Sequence, residues 1–181
     1  RQVDITTNSV WYWGLRPIFD HDRTGEAAFQ GLVGYASPVL VLAAFAAAMW
    51  LGWRVYQRTG TFPWIGVSGA MLCGFLLFHK VHSPQYTLWL IPFLVLLRVR
   101  WQAVAAYLAT DLALGVGDFR YFHALDVDRY VTLTEAVVKL GVWGGAAILV
   151  YFFFAFLRAP LRNPVSLSIS HADPPARRSY V

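Results

Sequence analysis

Charge is scarce in this chain. Only 14% of its 181 residues are Asp, Glu, Lys or Arg, where a water-soluble domain carries about 25%. The shortage argues against a soluble globular domain. Cysteine is almost absent: Cys73 stands alone, inside an apolar run. No disulfide within the chain and no cysteine-based metal centre can follow from one thiol, so Cys73 reads as a small packing residue. No internal repeat is evident. The chain opens on Arg1 rather than Met, with no signal peptide ahead of it. It is therefore expected to be the C-terminal part of a longer protein, or a processed or incomplete one.

Apolar and aromatic residues are abundant. They make up 57% of the chain, with eight Trp, nine Tyr and thirteen Phe, and the mean hydropathy is +0.48. This composition predicts an integral membrane protein. Five apolar segments stand out, at residues 31–53, 62–78, 84–97, 101–117 and 132–157. The first is uncharged and crosses about 30 Å of hydrocarbon at about 1.5 Å per residue. The fold expected is all-α, a polytopic bundle of about five membrane helices over residues 31–157. Residues 1–30 form an extracytoplasmic or interfacial segment, and residues 158–181, rich in Pro, Ser and Arg, a disordered tail.

Arginine placement orients the bundle. Arg54, Arg58, Arg98, Arg100, Arg158 and Arg162 all follow or join segments on one side of a five-span path. The positive-inside rule makes that side cytoplasmic in a plasma membrane, with the C-terminus there. The net charge of +5 is accounted for by anionic membrane lipids, and no nucleic-acid partner is expected. The opposite side holds residues 1–30, the turn near residue 80 and a loop over 118–131. "SVWYWGLRPIFD" suits a segment lying on the outer membrane face.

The stretch "FHKVHSPQYTLW" (residues 78–89) puts His79, Lys80, His82 and Ser83 between two apolar runs. Those runs are short for simple spans, so the turn between them is predicted to be recessed below the outer headgroups. Ionisable groups at such depth are functional candidates. Pro84 suits the first turn of a helix and Ser83 its N-cap. A helix N-terminus flanked by Lys80 and His82 favours phosphate. The bland alternative is a lysine and histidines snorkelling to an interface.

Residues 78–97, "FHKVHSPQYTLWLIPFLVLL", resemble the Lys-x-x-Ser-Pro-Gln-Tyr-x-x-Trp-x-x-Pro segment of actinobacterial polytopic GT-C glycosyltransferases. The relevant members are polyprenol-phosphate-mannose-dependent α-mannosyltransferases. The matching positions are Lys80, Ser83, Pro84, Gln85, Tyr86, Trp89 and Pro92. "RQVDITTNSVWYW" is similar to that family's outer loop at Arg1, Ser9 and Trp11. The resemblance implies transfer of a sugar, mannose above all, from a polyprenyl-phosphate carrier to an envelope glycolipid or glycan on the extracytoplasmic face. Negative charge would grow on the departing phosphate. Lys80 and His82 would stabilise it, His82 also serving as proton donor. Ser83 would join them at the helix start. Gln85 and Tyr86 would orient phosphate or sugar hydroxyls, and Arg1 would bind phosphate bidentately. The catalytic base belongs to an earlier outer loop and is not carried over. No cofactor or metal is expected: His79 and His82 lack a carboxylate nearby in sequence, and Asp20, His21 and Asp22 in succession do not converge easily.

Rival readings are a transporter or flippase half, with Lys80, His82 and Asp111 lining a path, and a non-catalytic membrane subunit. Asp111, near the middle of the fourth segment, is costly in a membrane and needs a partner. Glu135 and Lys139 have the spacing of a helix ion pair. Small residues in "GVWGGAA" (141–147) permit close helix packing.

Overall fold

The computed structural model describes residues 5–20, 22–81, 84–127 and 131–162. Its regular structure is helical throughout, apart from one isolated bridge between Leu97 and Leu161. Six α-helices follow in order: α1 (Val10–Leu15), α2 (Arg23–Thr59), α3 (Trp64–Phe78), α4 (Thr87–Leu96), α5 (Trp101–Val127) and α6 (Val131–Arg158). Two of them, α2 and α6, are long and apolar enough to cross a membrane, and α3 and α4 are shorter apolar helices.

Local chemistry sets the ends of α2. The Asp22 carboxylate accepts the Gly25 N–H at 2.7 Å as its N-cap. At the far end Gly60 adopts φ 74°, the left-handed conformation that glycine takes without strain. Helix α2 therefore begins eight residues before the apolar run that announces it, on "RTGEAAFQ". A second difference concerns α5. The expected outer loop over 118–131 is helix as far as Val127, so Asp118, Arg120 and His123 lie on its last turns. Charge ends the apolar pattern there, but Ala, Leu and Phe continue to favour or tolerate helix. Asp128 and Arg129 lie outside the described residues. Glu135 and Lys139 do pair, at 2.5 Å.

The core lies where α3, α4, α5 and α6 meet, around Leu90, Leu97, Tyr107, Phe152 and Phe156. The Phe152 and Phe156 rings stack at 5.3 Å, one helical turn apart. A second cluster joins Val67 and Ala70 of α3 to Leu157 at the end of α6. Helix α3 thus starts level with the end of α6. It spans only about 22 Å against about 42 Å for α6, so it stops opposite the middle of its neighbour.

One end of the bundle gathers the arginines. Arg54, Arg58 and Arg158 line one hollow there, and Arg98, Arg100 and Arg158 another. At this end a short clasp ties the exit of α4 to the exit of α6. Arg98 N–H donates to the Pro160 carbonyl at 3.0 Å and Arg162 N–H to the Leu96 carbonyl at 2.8 Å. The Arg98 guanidinium adds a bond to the Arg162 carbonyl at 3.1 Å. Residues 160–162, expected in the disordered tail, belong to this clasp. Residues 163–181 lie outside the described part.

Candidate functional site

Because α3 stops short, a recess opens above it between α5 and α6. The N-terminal segment fills it. The segment is docked onto the helices: Ile5, Ser9 and Trp11 are buried, and Val10 and Trp13 pack against Leu114, Val138 and Val142. Aromatic composition alone does not separate an interfacial segment from a docked one. The docking depends on partners far along the chain. Ser9 caps α1, its hydroxyl accepting from Tyr12 N–H at 3.4 Å. Trp11 Nε1–H donates to the Phe78 carbonyl at 2.8 Å, and the Ser37 hydroxyl donates to the same oxygen at 2.7 Å. A last-turn carbonyl of α3 thus gains two donors where no glycine cap follows. Thr7 reaches the Asp118 carboxylate at 2.9 Å, and Lys139 lies over the Trp13 ring at 5.1 Å. Nearer the rim, Arg16 pairs with Glu26 at 3.0 Å.

The turn after α3 forms the floor of this recess. His79 stacks on Phe75 at 4.6 Å, and its Nδ1 lies 2.7 Å from the Val81 carbonyl oxygen and 3.3 Å from the Val81 nitrogen. The Lys80 carbonyl accepts from Thr6 N–H at 3.3 Å. The Lys80 residue is half-buried, and none of the described carboxylates forms an ion pair with it. The helix expected to start at Pro84 starts three residues later. Pro84, Gln85 and Tyr86 form a 3-10 turn, and α4 begins at Thr87. The fixed φ of Pro84 suits the turn as well as it suits a helix start. Gln85 is exposed. Tyr86 stacks on Trp89 at 4.7 Å, and Phe75 flanks both rings at 6.5 and 6.4 Å. The expected site residues Lys80, Gln85 and Tyr86 thus share one turn. Arg1, His82 and Ser83 lie outside the described residues. Among the described residues no group of His, Cys, Asp and Glu could hold a metal ion.

Below the turn is a polar cluster of which only Asp111 was legible in the sequence. The Thr87 hydroxyl donates to Asp111 Oδ1 at 2.7 Å and lies 3.3 Å from the Tyr107 hydroxyl. Asp111 therefore has its partner, one that ties the start of α4 to α5. Asn8, His79, Tyr107, Thr110 and Asp111 line a cavity of about 30 Å³, room for a water or two at about 10–15 Å³ each. Asn8 Oδ1 is buried without a hydrogen-bond partner among the described residues, so a water in this cavity would satisfy it. Sequence reasoning missed Asn8, Thr87 and Tyr107. The available signal was Asp111 itself, which obliges some neighbouring helix to supply a donor.

Thr87→Val is expected to cost about 1–3 kcal/mol, because it strips a buried acceptor of its donor without changing the shape of the site. Thermal unfolding of the detergent-solubilised protein, followed by size-exclusion chromatography, measures it. Thr87→Ser is expected to restore most of the loss. An unchanged midpoint for Thr87→Val would mean that Asp111 does not rely on this bond.

No protein-family model, curated protein or solved structure matches the chain.

Proposed function

We propose that this chain is part of an integral membrane glycosyltransferase of the GT-C type. It crosses the plasma membrane about five times, with the arginine end and the C-terminus in the cytoplasm. It moves a sugar, mannose first among the candidates, from a polyprenyl-phosphate carrier to an envelope glycolipid or glycan on the extracytoplasmic side. The observation that carries the reading is the half-buried Lys80, without a described carboxylate partner, in the turn at the end of the bundle opposite the arginines. A cation so placed suits an anionic leaving group. The stacked rings of Tyr86 and Trp89 at the start of α4 suit the apolar faces of a sugar or the first isoprene units. His82, Ser83 and Arg1 complete the phosphate site in this proposal. The transport reading would use Asp111 as a carrier within the span. Its bond to Thr87 and the small size of its cavity favour a structural role instead.

The test is sugar transfer by membranes from cells expressing the full-length parent, with radiolabelled polyprenyl-phosphate-mannose as donor. The parent is expected to transfer, and His82→Ala to lose transfer at equal protein level. The reading fails if the parent uses none of a panel of lipid-linked sugars. It also fails if a cysteine placed at position 80 is labelled from the cytoplasmic side.

A further inference from the structure

A trough runs between α2 and α6 on the side of the bundle away from α5. Its upper part, about 320 Å³, is almost wholly apolar: Leu40, Ala44 and Ala47 of α2 face Val150 and Phe154 of α6, with Gly74 of α3 as floor. Phe154 also lines the next hollow along, of about 240 Å³, where Arg54, Arg58 and Arg158 converge. Apolar trough and cationic hollow adjoin at Phe154. From Leu40 to Arg54 the two follow α2 for about 21 Å. One leaflet of hydrocarbon is about 15 Å deep, half of about 30 Å, and a headgroup layer accounts for the rest.

Among the described residues no ion pair involves Arg54, Arg58 or Arg158. The described ion pairs, Arg16 with Glu26 and Lys139 with Glu135, lie toward the opposite end. Arg54 rests on the Trp50 ring at 5.2 Å, which holds its guanidinium at the groove without neutralising it. Three arginines lining one hollow beside an apolar trough suit one occupant by both charge and shape. We propose that trough and hollow together are a binding site for an anionic phospholipid of the arginine-side leaflet. One acyl chain lies along Ala44 and Ala47, and the phosphate is held by Arg54, Arg58 and Arg158. Bidentate guanidinium contacts favour phosphate, and each arginine adds attraction to an anionic headgroup. The site is separate from Lys80, which faces the other end of the bundle. The inference rests on the membrane reading alone and stands whether or not the chain transfers sugar.

The experiment uses the full chain reconstituted in phosphatidylcholine vesicles with a minority of phosphatidylglycerol. Either lipid carries a photoactivatable acyl chain, and adducts are mapped by mass spectrometry after irradiation. The phosphatidylglycerol probe is expected to label the α2 and α6 walls of the trough about tenfold more than the phosphatidylcholine probe. R54Q/R158Q, at two exposed positions, should bring that labelling down to the phosphatidylcholine level. Ala47→Trp, which fills the trough, should reduce labelling by both probes. Equal labelling by the two lipids, labelling unchanged in R54Q/R158Q, or adducts elsewhere would overturn the proposal while leaving the membrane reading intact. A chain washed from the vesicles by alkaline carbonate would sink both.

Discussion

Alanine at position 80 is expected to lower the turnover of sugar transfer by about 10²–10³-fold in the full-length enzyme proposed above, the usual effect of removing one preorganised charge stabiliser. The argument starts from the leaving group. A polyprenyl phosphate gains negative charge as its glycosidic bond breaks. A half-buried cation meets that charge where water is partly excluded, and there it is worth more than in water. Lys80 is held by its backbone, the carbonyl accepting from Thr6, so its side chain starts from a fixed point. Lys80→Arg keeps the charge but changes its geometry, and should retain more activity than alanine. The loss should fall on turnover more than on donor KM, because the charge being stabilised exists mainly in the transition state. Single-turnover rates with a lipid-linked sugar donor make the measurement. A folded Lys80→Ala enzyme within twofold of the parent would remove Lys80 from the mechanism.

The second large effect is on stability. Helices α5 and α6 approach closely where Gly141 faces Leu114. A Cβ on Gly141 would lie 2.8–2.9 Å from the backbone N, Cα and Cβ of Leu114. These are main-chain atoms and the root of a side chain, so no rotamer change relieves the clash. Gly141→Val is expected to destabilise by about 3 kcal/mol, the upper part of the range for overpacking, and to lower the melting midpoint by roughly 10 °C. Gly115, one helical step from Leu114, is the control: nothing lies within 4 Å of a Cβ built there. Gly115→Ala should be neutral or slightly stabilising, since alanine is the better helix former. Thermal unfolding of both variants in the same detergent compares them. Equal behaviour would mean that the close approach at Gly141 does not govern how the two helices pack.

Particular residues show how far the sequence could be read. The short runs at 62–78 and 84–97 announced a turn set below the ends of longer helices, and the arginines announced a common end. Both signals are local in the chain, so composition carries them. The small residues at 141–147 signalled close packing, and the structure supplies the partner helix. The rest depended on distant pairs. Thr87 and Asp111 are 24 residues apart, and Trp11 and Phe78 are 67 apart. Hydropathy has no term for such matches. The length of α5 was missed because Asp118 and Arg120 interrupt an apolar pattern without interrupting a helix. Of the expected site, Lys80, Gln85 and Tyr86 were placed together by adjacency alone. Their burial, with Lys80 and Tyr86 half-covered and Gln85 exposed, comes from how α3, α4 and the N-terminal segment close around them.

The clasp at the arginine end has a mechanical meaning. Helix α4 is ten residues long, about 15 Å. Its lower end is pinned through Leu96, Leu97 and Arg98 to residues 160–162, and its upper end carries the turn with Gln85 and Tyr86. It is a short strut between an anchor and a site. The same ten residues thus meet the end of α6 at one end and the turn beside Lys80 at the other, with Pro92 between them as the point where the helix lacks a backbone donor.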